Sequence, residues 1–129
     1  MELEQETIIK IQMMEQEINN LNEHLQIIEQ NNGYMNGLVD TINEIDKNET
    51  KEIMVDLGKR IFIPVEIKER KLFLDVGKGN FVKKSLKETK DIIDAEKMKL
   101  IDSKNEIIRR LNQLNEEMEN MIKEIENKK

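Results

Sequence analysis

The stretch that decides the fold is Leu72-Phe73-Leu74-Asp75-Val76-Gly77-Lys78-Gly79-Asn80-Phe81-Val82-Lys83-Lys84-Ser85-Leu86-Lys87-Glu88. Leu72, Leu74 and Val76 alternate with Phe73 and Asp75, the period of two that a pleated strand requires. Gly77-Lys78-Gly79-Asn80 is a glycine turn, and Phe81-Val82 begins a return strand. Ser85-Leu86-Lys87-Glu88 then forms a capping box, in which Ser and Glu side chains each satisfy a free backbone N–H at a helix start. A hairpin running straight into a helix is therefore written here.

Working upstream, a second hairpin precedes the first. Ile53, Val55 and Leu57 alternate with Met54 and Asp56. Gly58-Lys59-Arg60 reads as a turn. Ile61, Ile63, Val65 and Ile67 alternate with Phe62, Pro64 and Glu66. Pro64 has no N–H to give to a ladder, so its strand is an edge there or Pro64 sits at a bulge.

Outside the strands the period changes. Ile11, Met14, Ile18, Leu21, Leu25, Ile28, Asn32, Met35, Val39 and Ile42 fall at the two seam positions of successive heptads, and all but Asn32 are apolar. Downstream of the cap, Ile93, Lys97, Leu100, Lys104, Ile107, Leu111, Leu114, Met118, Met121 and Ile125 repeat the pattern, interrupted only by the two lysines. Spacing of this kind specifies a coiled-coil seam. Ile101 and Ile108 widen the second stripe, while Glu4 and Thr7 break the first. Gly33 and Gly37 are poor helix formers, read as tolerated weak spots.

Two helices of similar length joined by a compact insert can fold back on each other. Antiparallel pairing places Ile42 near Ile93, Ile11 near Ile125, and Asn32 near Lys104. The last pair matches a polar exception to a polar exception, a device that lowers stability but fixes register. The expected fold is α+β: a long antiparallel two-helix coiled coil with two β-hairpins between the helices. Residues 1–129 read as one subunit, with an N-terminal helix over 1–47, hairpins over 51–84 and a C-terminal helix over 85–129.

Composition agrees with an elongated chain. Charged residues make up 37%, hydrophobic residues 37% and aromatic residues 3%. A compact core needs more bulky apolar volume, whereas a coiled coil buries one seam per helix. Disorder is excluded by the regular spacing of Ile, Leu, Val and Met. A net charge of −6 opposes nucleic acid as a partner. The absence of cysteine removes disulfides, thiolate metal sites and cysteine nucleophiles. No apolar run is long enough for a membrane span, and the acidic start is the wrong sign for export, so a cytoplasmic location is expected.

Catalytic chemistry is sparse. His24 is the only histidine and reads as an exposed surface residue. Gly77-Lys78-Gly79 lacks the full phosphate-loop pattern and reads as a turn. No catalytic residues, metal ligands or cofactor are expected.

The surfaces stand out more. The two hairpins carry apolar residues on both faces, more than the helix roots can cover, and an isolated hairpin is marginal in water. Other copies or partner subunits are expected to complete the sheets through Ile53, Val55, Leu57, Ile61, Phe62, Ile63, Val65, Ile67, Leu72, Phe73, Leu74, Val76, Phe81 and Val82. The open ends of the helices hold Leu3, Ile8, Ile9, Met13, Met118, Met121, Ile122 and Ile125, candidates for gripping unfolded chains. Met118, Met121 and Ile125 also fall on the seam.

This layout resembles prefoldin, specifically the alpha-class subunits, which have two hairpins between two long helices. The resemblance is carried by Ile53-Met54-Val55-Asp56-Leu57-Gly58, by Ile61-Phe62-Ile63-Pro64-Val65 and above all by Leu72 to Leu86. It implies an ATP-independent holdase whose hairpins oligomerise into β-barrels and whose arms hold non-native clients at their tips. It also implies beta-class subunits as partners and a group II chaperonin as recipient. The archaeal gamma variety resembles the alpha class and builds filaments by itself. Two unlike hairpins joined head to tail need not close, which permits that outcome.

Overall fold

A computed structural model describes residues 2–48 and 51–127. The side chains of Glu2, Leu3 and Asn48 lie outside the described residues. The element order is α1 (Glu2–Asn48), β1 (Glu52–Gly58), β2 (Ile61–Glu66), β3 (Lys71–Gly77), β4 (Asn80–Ser85) and α2 (Leu86–Asn127). β1 pairs with β2 and β3 with β4, giving two separate two-stranded antiparallel sheets. The chain divides into two compact units, Met1–Gly33 with Met98–Lys129 and Tyr34–Lys97.

In the first unit the helices pack along the expected seam. Leu114 is almost wholly buried, and its seam neighbours are half-buried. Glu17 bonds Arg110 and Glu29 pairs with Lys104, so numbers rise on one helix as they fall on the other. The packing is antiparallel. Thr7, read from the sequence as a break, is half-buried and occupies the next seam position. Its polar side chain hid the repeat, but the helix phase continues through it.

Asn32 and Lys104 line one small cleft in this unit, together with Ile28, Glu29, Leu100 and Ile101. The Asn32 Oδ1 is buried and accepts no hydrogen bond among the described residues. A buried orphan acceptor costs about 1–3 kcal/mol, which is the toll expected of a polar layer in a seam.

The second unit holds the root of the hairpins. Ile42, Leu86 and Ile93 form its buried core, with Met35, Val39, Ile45 and Leu72 packed against it. Leu72 brings hairpin two onto the helices. The capping box forms as read: Glu88 N–H donates to Ser85 Oγ at 3.0 Å, and Ser85 N–H donates to Glu88 Oε1 at 3.3 Å. Buried Thr89 donates its hydroxyl to the Ser85 carbonyl at 2.8 Å. The Arg70 guanidinium donates to the Ile45 carbonyl, one of the free acceptors in the last turns of α1. Lys90 donates to Asn43 and Asp46 across the helices.

α1 runs unbroken through Gly33 and Gly37. A Cβ at either glycine would meet nothing within 4 Å. Space does not demand glycine there, so these residues only weaken helix propensity. Thr41 adds a bond from its hydroxyl to the Gly37 carbonyl at 3.0 Å.

The two hairpins are copies of one design. A single constant shift in numbering carries one onto the other: Ile53 onto Leu72, Asp56 onto Asp75, Gly58 onto Gly77, Phe62 onto Phe81. Each has a register shift before its turn, at Asp56/Gly58 and at Asp75/Gly77. In each, the glycine N–H donates to the preceding aspartate, at 2.7 Å and 2.9 Å. The glycines take φ of 119° and 122°, which side-chain-bearing residues rarely adopt. Lys59 and Arg60 then have φ of 52° and 62°, and Lys78 and Gly79 have 53° and 75°. Two consecutive positive φ values make a type I′ turn, whose twist matches the strands. Arg60 holds this conformation without being glycine.

Candidate assembly and client surfaces

Cross-strand partners lie on the same face of a sheet, and successive residues along a strand lie on opposite faces. In hairpin one, Ile53 faces with Val65 and Val55 with Ile63. In hairpin two, Leu72 faces with Lys84 and Leu74 with Val82. These are the inner faces. Ile53, Val65, Leu72 and Leu74 are half-buried on them, as is Ile67 just beyond β2, while Val55, Ile63 and Val82 lie farther out and are exposed.

The outer faces carry the opposite set. Met54, Phe62, Phe73 and Phe81 stand on them, at 63%, 48%, 63% and 63% exposure. Leu57, Ile61 and Val76 are also exposed around the turns. The sequence-predicted assembly residues thus split between two faces: one partly buried, from which Leu72 packs on the helical core, and one wholly exposed. Large aromatic and aliphatic side chains are therefore gathered in solvent on the outer faces.

The edges are equally informative. Ile67 N–H donates to the Lys51 carbonyl at 2.7 Å, closing the base of hairpin one. Alternate residues Val65 and Ile63 point the same way, so the Pro64 nitrogen faces the open edge of β2. Pro64 therefore removes no bond from the ladder, and it blunts an edge that another strand could otherwise extend.

Charge is placed asymmetrically. Lys83 pairs with Glu69 at 2.5 Å and lies 5.5 Å from the centroid of the Phe73 ring. The Lys83 hydrogen bond holds the Glu69 carboxyl below its ordinary value. Glu88 is likewise lowered, first by the Ser85 hydrogen bonds and then by Lys84 and Lys71. In the first unit, the Glu17 hydrogen bonds raise the Arg110 guanidinium further.

The predicted client residues fall into two groups. Ile8, Ile9, Met13 and Ile122 are exposed, Met13 the most at 66%. Met118, Met121 and Ile125 are half-buried in the seam. The side chain of Leu3 lies outside the described residues. His24 is exposed and borders a shallow cleft with Leu21, Ile28 and Arg110. Among the described residues no group of three or more His, Cys, Asp or Glu could hold a metal ion. No helix among them is long and apolar enough to cross a membrane.

Sequence reading missed the duplication of the hairpins. Its signal is Asp-x-Gly-Lys, present at Asp56 to Lys59 and again at Asp75 to Lys78. It also missed exposed Ile27, Tyr34, Leu38 and Met98, which lie off the seam and outside the predicted tips.

Two long helices with a pair of antiparallel hairpins between them define the class of coiled-coil proteins whose head is made of β-strands. The sequence profile of prefoldin subunits matches residues 10–129, and the chain belongs to the prefoldin family. A search of the curated proteins returns no match. Among solved structures, the chain resembles a subunit in the cryo-EM structure of filamentous PFD from Methanocaldococcus jannaschii. The TM-score is 0.73 at 16% identity, covering 93% of this chain and 98% of that one. At that identity the likeness concerns the fold.

Proposed function

We propose that this chain is an ATP-independent holdase that assembles through its hairpins and binds non-native proteins through apolar residues near the ends of its helices. The observation that carries this reading is exposure. Ile8, Ile9, Met13 and Ile122 stand in solvent beside a seam that does not need them. Apolar side chains on a helix face, methionine among them, can repack against varied clients. Leu3, Met118, Met121 and Ile125 complete the proposed patch. The outer hairpin residues supply the assembly surface, and closure of hairpins from several copies into β-barrels would cover them. The proposed setting is the cytoplasm, with beta-class subunits and a group II chaperonin as candidate partners and no cofactor.

The test replaces Ile8, Ile9, Met13 and Ile122 with glutamine together and follows aggregation of a chemically denatured client by turbidity. The wild-type chain suppresses turbidity, and the variant loses most of that suppression while its assembly state is unchanged. Full suppression by the variant would sink the client assignment.

A second reading is a self-assembling filament or scaffold of the gamma type. It is favoured by the filamentous state of the structural neighbour and by the two unlike hairpins on one chain. The readings are compatible, since filament subunits can still hold clients.

A further inference from the structure

The outer faces of the two hairpins share a plan and differ in sign. Hairpin one presents Glu52, Met54, Asp56, Phe62, Pro64 and Glu66. The constant shift turns these into Lys71, Phe73, Asp75, Phe81, Lys83 and Ser85. The bulky apolar pair is kept, Met54 and Phe62 becoming Phe73 and Phe81. The aspartate is kept because it closes the turn in both. The remaining positions all change, and all toward positive: Glu52 to Lys71, Pro64 to Lys83, Glu66 to Ser85. One outer face is therefore acidic without a cation, and the other carries two ammonium groups around the same apolar centre.

Such a pair of faces selects its own combinations. Hairpin one against another hairpin one would set carboxylates against carboxylates, and desolvated like charges oppose association. Hairpin two against hairpin two would oppose lysines. Only the unlike combination matches apolar centre with apolar centre and acid with base. Both lysines already attract carboxylates of their own chain: Lys83 pairs with Glu69, and Lys71 lies near enough to help lower Glu69 and Glu88.

We infer that the outer face of hairpin one docks on the outer face of hairpin two of a second copy, with Glu52 and Glu66 set against Lys71 and Lys83. This rests on the self-assembly reading and gives it a direction. Each copy then offers one face of each kind, and the contact is heterologous, so copies add head to tail.

The experiment measures self-assembly of the full chain by sedimentation and light scattering at low salt. It compares wild type with E52K/E66K, which leaves both faces basic, and with K71E/K83E, which leaves both acidic. Each reversed variant alone should need about tenfold or more higher concentration to assemble. A one-to-one mixture of the two should co-assemble near the wild-type concentration, and the quadruple reversal should assemble alone. If a reversed variant loses helicity by circular dichroism, E52Q/E66Q carries the test with a smaller rise of about threefold. A wild-type chain that stays monomeric overturns the self-assembly reading and this inference with it. A wild-type chain that assembles while the reversals change nothing, or while the mixture stays dispersed, overturns the pairing and leaves self-assembly standing.

Discussion

Hairpin one and hairpin two follow the same backbone plan, yet they are held differently. Hairpin two is anchored: Leu72 packs on the helical core, and β4 runs through Ser85 straight into the capped α2. Hairpin one is closed at its base by the Ile67 to Lys51 bond. Its turn keeps Arg60 in a left-handed conformation that Gly79 occupies freely in the other. Its β2 edge carries Pro64 where β4 has Lys83. The lesson is that a duplicated element can keep its turn chemistry while anchorage, strain and charge diverge.

The anchorage difference should show most strongly at Leu86, buried at the junction of hairpin two and α2. Leu86→Ala removes core volume and should cost about 2–4 kcal/mol in chemical denaturation. The half-buried Val65 of hairpin one, changed to Ala, should cost about 1 kcal/mol. Equal losses would erase the distinction between an anchored and a loosely held hairpin.

The strain difference is next in size. Arg60→Gly relieves a left-handed residue and should raise stability by up to about 1 kcal/mol, part of it returned as backbone entropy of the unfolded chain. Gly79→Arg imposes the same strain on hairpin two and should lower stability by about 1 kcal/mol. Thermal melts of both variants would check the opposed signs.

The smallest effect concerns the cap that hairpin one lacks. Glu88 is lowered from its ordinary 4.5 by the Ser85 hydrogen bonds, so folding favours its charged form. Its contribution is complete above the unfolded value and fades as pH falls through the lowered folded value. Lys84 and Lys71 face the same carboxylate and share in the effect. The difference in melting temperature between wild type and Glu88→Gln should therefore shrink on acidification below about pH 4.5. A difference independent of pH would show that the Glu88 charge plays no part.

Much of this was legible in the sequence, for identifiable reasons. Every predicted seam position from Ile11 to Ile42 and from Ile93 to Ile125 is buried or half-buried, because side-chain period alone dictates a coiled-coil stripe. Asn32 and Lys104 line one cleft, close together as expected, since each lies where the seam must accept a polar side chain. The cap at Ser85 and Glu88 was legible because it is a local motif. The direction of the Pro64 nitrogen was not, because it depends on ladder register. The conformation of Arg60 was hidden because the residue type argues against it. The inverted outer faces escaped notice because neither sign is needed for either hairpin to fold. They become visible only when the two are laid over one another.

The central claim is that the exposed hairpin faces exist to meet other copies. Sedimentation velocity of the pure chain across a concentration series tests it most directly. The account predicts species well above the 15.3 kDa monomer, growing with concentration and shrinking with added salt. A single monomeric boundary at every concentration would contradict it.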